Sequence, residues 1–364
     1  MRDAPGRRIA DRYELLERAG EGGMATVWRA ITLGAQGFER PIALKRAHPA
    51  LAADADFVAM FVEEARVNAT LDHPNIVHVH DFGVDEDGDH YLVMEWVEGL
   101  DLRALVHAHD VENEHVDWPI VAAIGVEMLR GLHFAHTRIT EDGDFAPIFH
   151  RDVTPQNVMV AASGAVKITD FGLARAMDRA RVTTPGVVKG KLSYLAPELT
   201  LDGPPSAKSD LFGVGIVLWE ALAGQKLFDA PTDQEVLGMV ARADVPWIQD
   251  IRDDVSPAIA EIVHTALARD PDDRWVDARA MANALTRALR GLPDPIDADA
   301  IAEEVALARR RLGLLSVRRS LADVAREEAE RRAAITAALF GPQGQIDDPG
   351  GGAAPLPLTT KKRT

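Results

Sequence analysis

The sequence predicts an α+β fold, in which strands and helices occupy separate parts of the chain. Strand-like segments at 13–19, 42–45 and 91–94 all precede residue 98, and one helical pattern at 57–71 interrupts them. Further along, an apolar helix is expected over 211–223, and another helical repeat begins at Ile301. A strand-rich region with one helix, followed by a mostly helical region, is typical of the α+β class.

The composition is that of a soluble globular protein with a substantial core. Of the 364 residues, 47% are hydrophobic and 27% are charged. The formal net charge of −17 argues against a nucleic-acid-binding protein, because such a chain would have to attract a phosphate backbone. The absence of cysteine excludes disulfides, thiolate metal sites and cysteine nucleophiles.

The hydrophobic segments are short. The best candidate for a membrane span, 211–223, is too short to cross a bilayer. The basic first eight residues lead into no apolar signal core. We therefore expect a cytoplasmic protein with no membrane anchor.

Two segments near the amino terminus point to a phosphate-binding site. The first is Gly20–Val27, which reads GEGGMATV; small residues there let backbone amides approach phosphates. The second is Ile42–Lys45, which reads IALK and has the pattern of a buried strand that ends in a cation. Each is weak evidence alone, since a glycine-rich turn is most often only a turn and lysine is usually solvated.

The helical pattern at 57–71 offers a carboxylate for that lysine. Its apolar positions recur at helical spacing, and the stripe that they form includes Asn68. Glu64 and Glu63 are the two candidates, and adjacent residues point about 100° apart around a helix. The two therefore cannot both face the lysine, and spacing alone does not say which of them does.

A second group of polar residues lies near the middle of the chain. The segment 150–157 reads HRDVTPQN, and Asp170 begins an Asp-Phe-Gly tripeptide thirteen residues after Asn157. These spacings bring Asp152, Asn157 and Asp170 into a pattern suited to phosphoryl transfer with two magnesium ions, for which oxygen ligands are appropriate. Singly, such residues are most often turn residues.

The ordered set of motifs between residues 13 and 292 resembles the eukaryotic-like (Hanks-type) serine/threonine protein kinases of bacteria. The resemblance implies a two-lobed protein-kinase fold, with a small β-rich N-lobe that contains one helix and a larger helical C-lobe. It gives an N-lobe and hinge at 13–97 and a C-lobe at 98–292. Beyond these we expect a helical tail at 293–340 and a disordered tail at 341–364.

The resemblance also implies roles for individual residues, with ATP and Mg²⁺ as cofactors. Lys45 would hold the α- and β-phosphates, and Glu64, which aligns with the family's helix glutamate, is chosen over Glu63 as its partner. Asp152 would orient the substrate hydroxyl or accept its proton. Asn157 and Asp170 would be the metal ligands, and Asp101 would reach the ribose or cap a helix. The implied nucleotide contacts are Gly20, Glu21, Gly22, Gly23, Val27, Ala43, Lys45, Met94 as gatekeeper, and the hinge residues Glu95 and Val97.

The chain departs from the family at two positions. Thr154 stands where serine/threonine kinases have a lysine, and Lys191 stands where they have a threonine. In the family those two side chains meet beside the catalytic aspartate, so we infer a reciprocal exchange in which Lys191 supplies the γ-phosphate cation. The alternative is that Lys191 points to solvent and Thr154 is merely tolerated.

The segment from 173 to 195 resembles an activation loop. In the family, Arg151 pairs with a phosphate on that loop, and a guanidinium suits bidentate phosphate binding. We expect one or both of Thr183 and Thr184 to be phosphorylated in trans between two kinase molecules, which could form a kinase–kinase dimer. Two further resemblances are structural: a Glu198–Arg274 ion pair, and a buried Asp210 that braces the catalytic loop.

The expected function is transfer of the ATP γ-phosphate to serine or threonine hydroxyls of protein substrates, with autophosphorylation of the activation loop. The alternative is a pseudokinase scaffold that signals through its tail. In that tail, apolar residues from Ile301 to Leu315 share one helical phase, and those from Val317 to Val324 follow in another, with Gly313 near the break. The tail helices could pack back on the kinase, dimerise or bind another protein.

Overall fold

The computed structural model describes residues 3–49, 51, 54–171 and 191–314. The chain divides into two units, Met1–Leu315 and Ser316–Thr364, and every described residue belongs to the first. The expected phosphorylation sites Thr183 and Thr184 and the predicted tail beyond 314 lie outside the described residues.

The N-lobe is built on an antiparallel sheet. Its six strands are β1 Arg8–Ile9, β2 Tyr13–Glu21, β3 Ala25–Leu33, β4 Glu39–Ala47, β5 Val79–Val84 and β6 His90–Glu95. They lie in the order β1-β2-β3-β4-β6-β5, and each pairs with its neighbour in antiparallel register.

One helix, α1 (Ala55–Ala69), packs against this sheet. Asp54 caps it by accepting hydrogen bonds from two amides of the first turn. Successive residues of β4 face opposite sides of the sheet, so Leu44 enters one apolar cluster while Ala43 enters the other. The second cluster contains Phe61 of α1, which holds the helix, and with it Glu64, against β4.

The C-lobe is mostly helical. Its described helices are α2 Leu102–Asp110, α3 Trp118–His136, α4 Ala207–Ala223, α5 Asp233–Arg242, α6 Ile248–Ile251, α7 Pro257–Ala266, α8 Ala278–Leu289 and α9 Ala298–Arg311. A small sheet of β7 Gly99–Asp101, β8 Val158–Ala161 and β9 Val166–Ile168 lies close to the hinge.

Helix α4 is the centre of the C-lobe core. All its residues from Ser209 to Ala223 are buried, as expected for a helix that is apolar on every side. A Ser206–Ser209 capping box begins it, and Gly224 ends it with φ of 69°. Among the described residues, no helix is both long and apolar enough to cross a membrane.

Three local contacts fix parts of the C-lobe. The segment around Asp142-Gly143 forms a small hairpin in which Ile139 and Phe145 are bridged. Asp101 caps α2 by accepting a hydrogen bond of 2.7 Å from the Ala104 amide. Elsewhere in the C-lobe, Arg274 forms a bidentate ion pair with Glu198, in which the two N–O distances are 2.9 and 2.7 Å.

Helix α9 packs back onto the C-lobe. Its buried stripe is Ile301, Val305 and Ala308, which belong to the main core of the C-lobe. At its start, the turn before β9 approaches so closely that a Cβ on Gly164 would lie 1.7 Å from the Ala298 carbonyl oxygen. Gly313, with φ of 69°, follows the helix end, near the predicted phase shift.

Candidate active site

The centre of the candidate site is a buried lysine between two carboxylates. Lys45 projects from β4, and its Nζ donates to Glu64 Oε1 at 2.9 Å and to Asp170 Oδ1 at 2.8 Å. The Lys45 and Glu64 side chains are 7% and 1% exposed, whereas Glu63 faces solvent. The structure therefore brings Glu64, and not its neighbour, to the lysine, which links α1, β4 and the segment after β9.

Burial and charge shift the pKa values of these three groups in different directions. Burial alone would lower the pKa of Lys45, but Asp170 and Glu64 outweigh it and raise that pKa. Burial would raise the pKa of Asp170, yet the adjacent Lys45 lowers it overall. One cation faces two carboxylates, so burial dominates at Glu64 and raises its pKa to about 7, despite the opposing effect of Lys45.

We expect Glu64 to make the stability of the nucleotide-free protein depend on pH. The pKa of Glu64 is about 7 in the folded protein and 4.5 in the unfolded chain. The contribution of this carboxyl to the free energy of unfolding is therefore fully present below pH 4.5 and is lost as the pH rises through about 7. Glu64→Gln, which mimics the protonated acid, should therefore lose less melting temperature than wild type between about pH 5 and pH 8. Differential scanning calorimetry across that range measures the difference.

Glu63→Gln is the matched control, because it removes the same charge from the exposed neighbouring position. It should retain the wild-type pH dependence. If the melting temperatures of Glu64→Gln and wild type ran parallel across this range, the assignment of this titration to Glu64 would be wrong.

Asp170 is held in a conformation that is uncommon for a residue with a side chain. Its φ is 64°, in the left-handed region, and such strain is characteristic of functional positions. Phe171, the next residue, is fully buried and packs 4.5 Å from the His150 ring, centroid to centroid. The aspartate is thus fixed by the packing of its neighbour.

Asn68 makes a contact beside the site that the sequence pattern did not predict. Its amide nitrogen donates to the Phe171 carbonyl oxygen at 3.0 Å and to the Glu64 carbonyl oxygen at 2.8 Å. It therefore ties α1 to the Asp-Phe-Gly segment from inside the core. The available signal was a polar residue on the apolar stripe of α1, because a buried amide requires hydrogen-bond partners.

The catalytic loop is braced by Asp210, as the resemblance implied. The two Asp210 oxygens accept hydrogen bonds from the backbone amides of His150 and Arg151, each at 2.8 Å. His136 Nε2 lies 2.7 Å from Asp210 Oδ2, and this contact holds the pKa of Asp210 low although burial alone would raise it. Arg151 has φ of 65°, and the two amide bonds secure that strained turn.

Asp152 accepts hydrogen bonds from two other predicted site residues. Asn157 Nδ2 lies 3.1 Å from Asp152 Oδ2 and 2.8 Å from the Asp152 carbonyl oxygen. Lys191 Nζ donates to Asp152 Oδ2 at 2.7 Å. Thr154, two residues from Asp152, is buried. The structure thus brings Lys191 to Asp152, which is the contact that the predicted exchange with Thr154 requires.

The predicted nucleotide contacts lie at the end of β2, in β3 and β4, and along the hinge. Gly20 and Glu21 end β2, and the turn after them is closed by a 2.9 Å bond from the Gly22 amide to the Ala25 carbonyl oxygen. Ala25 does not have the positive φ that would strain alanine. Gly23 lies in the same turn, Val27 in β3, Ala43 in β4, Met94 and Glu95 at the end of β6, and Val97 just beyond it.

A cavity of about 590 Å³ opens beside the catalytic loop. Asp152, Thr154, Asn157 and Lys191 contribute to one wall, and α2 and the end of α4 form the others. On its floor, Glu220 accepts hydrogen bonds from the Tyr194 hydroxyl at 2.7 Å and from the Leu227 amide at 3.1 Å. The cavity can admit a chain segment to within reach of Asp152.

Comparison with known proteins agrees with this geometry. Residues 13–285 match the profile of the protein kinase domain. The tyrosine-protein kinase MasK of Myxococcus xanthus is 38% identical over 75% of this chain, which spans 42% of MasK. The serine/threonine-protein kinase PknL of Mycobacterium tuberculosis is 34% identical over 98% of this chain and 78% of PknL.

A solved structure extends the comparison to the fold. The kinase domain of PknI from Mycobacterium tuberculosis superposes with a TM-score of 0.58 and 28% identity, covering 79% of this chain and 99% of that chain. The two-lobed architecture predicted from the sequence is confirmed. The chain belongs to the protein kinase family.

Proposed function

We propose that this protein is an ATP-dependent protein kinase that phosphorylates serine and threonine residues of other proteins. One observation supports this most directly: Lys45, Glu64 and Asp170 are joined by hydrogen bonds, in the same site as a hydrogen-bonded Asp152. Phosphoryl transfer depends mainly on positioning and on charge neutralisation, and both are provided by groups held in place before the substrate arrives.

The donor set fits a magnesium ion bound with nucleotide. Asn157 uses its amide nitrogen on Asp152, so its carbonyl oxygen is the atom oriented to act as a ligand. The Thr169 backbone amide donates to the backbone carbonyl oxygen of Asn157 at 3.0 Å, which leaves the Asn157 side-chain oxygen free of this bond and keeps the following Asp170 beside Asn157. An amide oxygen and a carboxylate are the hard ligands that Mg²⁺ prefers. When bound, the metal would neutralise phosphate charge.

The other predicted site residues would bind the nucleotide or the acceptor hydroxyl. Lys45 would hold the α- and β-phosphates, with Glu64 fixing its ammonium group. The hinge would bind adenine through the backbones of Glu95 and Val97. Asp152 would orient the acceptor hydroxyl and take its proton, in a site where the substrate protein enters through the cavity beside α2.

The amino acid that accepts the phosphate distinguishes two kinds of protein kinase. PknL is named a serine/threonine kinase and MasK a tyrosine kinase, so tyrosine is the second candidate acceptor. Incubation with radiolabelled ATP, followed by phosphoamino-acid analysis, distinguishes the two. Phosphoserine or phosphothreonine supports the proposal, and phosphotyrosine alone would replace it. The names of the relatives give the pseudokinase alternative no support.

We also propose that Thr183 or Thr184 is phosphorylated in trans. The phosphate would pair with Arg151, whose backbone is held by Asp210. The Thr183→Ala/Thr184→Ala double variant should lose autophosphorylation on this loop and about tenfold or more in kcat. Mass spectrometry of wild type, and kinetics of both proteins, provide the measurement. An unphosphorylated, fully active wild type would contradict this expectation, as would a fully active double variant.

If phosphorylation occurs in trans, the rate of autophosphorylation should depend on enzyme concentration. Wild type mixed with the inactive Asp152→Asn variant should phosphorylate the variant, and its initial rate of autophosphorylation should rise with the square of enzyme concentration. A first-order rate together with an unlabelled Asp152→Asn variant would indicate a reaction within one molecule, whereas a first-order rate with a labelled variant would indicate a trans reaction within a stable dimer.

A further inference from the structure

Helix α9 lies outside the part of the chain that matches the kinase domain, yet it reaches the hinge. The match ends at residue 285, and α9 spans Ala298–Arg311. Arg309 Nη2 donates to Glu98 Oε1 at 2.8 Å. Glu98 follows the hinge directly and precedes β7, so a side chain of α9 contacts the connection between the two lobes.

The contacts continue from Glu98 across the hinge into the N-lobe. The other Glu98 oxygen, Oε2, accepts a hydrogen bond of 3.0 Å from the Trp96 indole nitrogen. The Arg29 guanidinium lies over the Trp96 ring, 5.6 Å from its centroid. Arg29 Nη1 in turn donates to Glu17 Oε1 at 3.0 Å.

We call the set Arg309, Glu98, Trp96 and Arg29 the hinge brace. Its far end lies in β3, the strand that also carries Ala25 and Val27 above the nucleotide site. Its electrostatics are consistent with a formed contact. The pKa of Glu98 is lowered, first by the hydrogen bond from Trp96 and then, against the effect of burial, by Arg309 and Arg29.

The end of the brace on α9 is firmly anchored. Val305 and Ala308, which precede Arg309 by one turn and by one residue, are fully buried. Arg311 is bonded to Glu114, and its Nη1 lies 2.9 Å from His109 Nδ1 of α2. The Arg309 side chain itself is only 19% exposed. A guanidinium fixed in this way constrains Glu98 more than a freely solvated arginine would.

We propose that Arg309, acting through Glu98 and Trp96, is a positioning residue for the nucleotide. The inference rests on the proposed kinase function. Opening of the two lobes requires rotation at the hinge, and the brace joins a helix fixed on the C-lobe to the hinge and to the strand above the nucleotide. The brace thereby restricts the N-lobe to the conformation in which Val27 and the glycine-rich turn cover the phosphates.

Arg309→Gln is the direct test. We expect the Kd for ATP, measured by isothermal titration calorimetry on the full chain, to rise about threefold, with kcat at saturating ATP unchanged within about twofold. Arg310→Gln is the matched control, since its neighbouring guanidinium is exposed. It should bind ATP as wild type does.

A double-mutant cycle separates the brace from a merely structural role of α9. Glu98→Gln should also weaken ATP binding, and Arg309→Gln in that background should add little, because the two side chains act through one contact. Trp96→Phe keeps an aromatic ring and removes the indole N–H, so it should reproduce part of the loss. Additive effects of Arg309→Gln and Glu98→Gln would overturn the proposal.

The outcomes are distinguishable from failure of the kinase assignment. If wild type bound no ATP and transferred no phosphate, the proposed function would fail. If wild type were active but Arg309→Gln bound ATP as Arg310→Gln does, the hinge brace would fail alone. A lower melting temperature of Arg309→Gln with unchanged ATP affinity would also overturn it, since α9 would then serve stability only.

Discussion

Replacement of Asp152 by asparagine is expected to lower kcat by about 10²- to 10⁴-fold, the usual contribution of a positioned general base. The reason is chemical, because an amide can occupy the same space but cannot take the proton of the acceptor hydroxyl. Affinity for ATP should stay close to that of wild type, since Lys45 and Asp170 are unchanged. Initial rates with saturating ATP and a protein substrate give kcat, and calorimetric titration gives the affinity.

The control for this variant removes a similar charge elsewhere. Asp142→Asn alters an exposed residue in the hairpin between Ile139 and Phe145 and should leave both kcat and the Kd for ATP unchanged. If Asp152→Asn retained more than about a tenth of wild-type kcat, the assignment of Asp152 as the catalytic base would have to be abandoned. If it lost ATP binding as well, the variant would report a disrupted site.

The parts of the site that could be predicted from the sequence are those where chemistry restricts the residue type. A buried cation requires a carboxylate, and 100° between adjacent helix positions separates Glu64 from Glu63. Likewise, oxygen ligands for a metal limit the choice at Asn157 and Asp170. The structure brings Glu64, the residue that aligns with the family's glutamate, to Lys45, whereas metal binding by Asn157 and Asp170 stays a prediction.

Other features depended on tertiary contacts that a pattern does not contain. An apolar stripe predicts that α9 is buried, but it does not say against which surface, so docking onto α2 and β8 had to come from the structure. The positive φ values of Arg151 and Asp170 are also invisible in the sequence, because glycine is the residue that signals this conformation. In the structure, the amide hydrogen bonds to Asp210 hold the Arg151 conformation, and the packing of Phe171 holds that of Asp170.

Replacement of Lys191 by alanine is expected to lower kcat about 10²-fold, the effect of losing one preorganised charge that faces the reacting group. Lys191 Nζ lies 2.7 Å from Asp152 Oδ2, and Thr154 is buried two residues from Asp152. The lysine therefore reaches the position from which a cation can contact both the catalytic aspartate and the γ-phosphate. Lys226→Ala is the control for the position of the charge. Lys226 lines the same cavity as Lys191 but forms no ion pair with any described residue.

The exchange with Thr154 is tested by restoring the family arrangement. Thr154→Lys combined with Lys191→Thr should recover more kcat than either single change, because one cation beside Asp152 is sufficient and two would repel each other. Additive effects would mean that the two positions do not share a function. An unaltered kcat in Lys191→Ala would mean that the observed contact with Asp152 is not used in catalysis. Because Lys191 belongs to the activation segment whereas Thr154 belongs to the catalytic loop, the exchange would make the position of the γ-phosphate cation depend on the order of that segment.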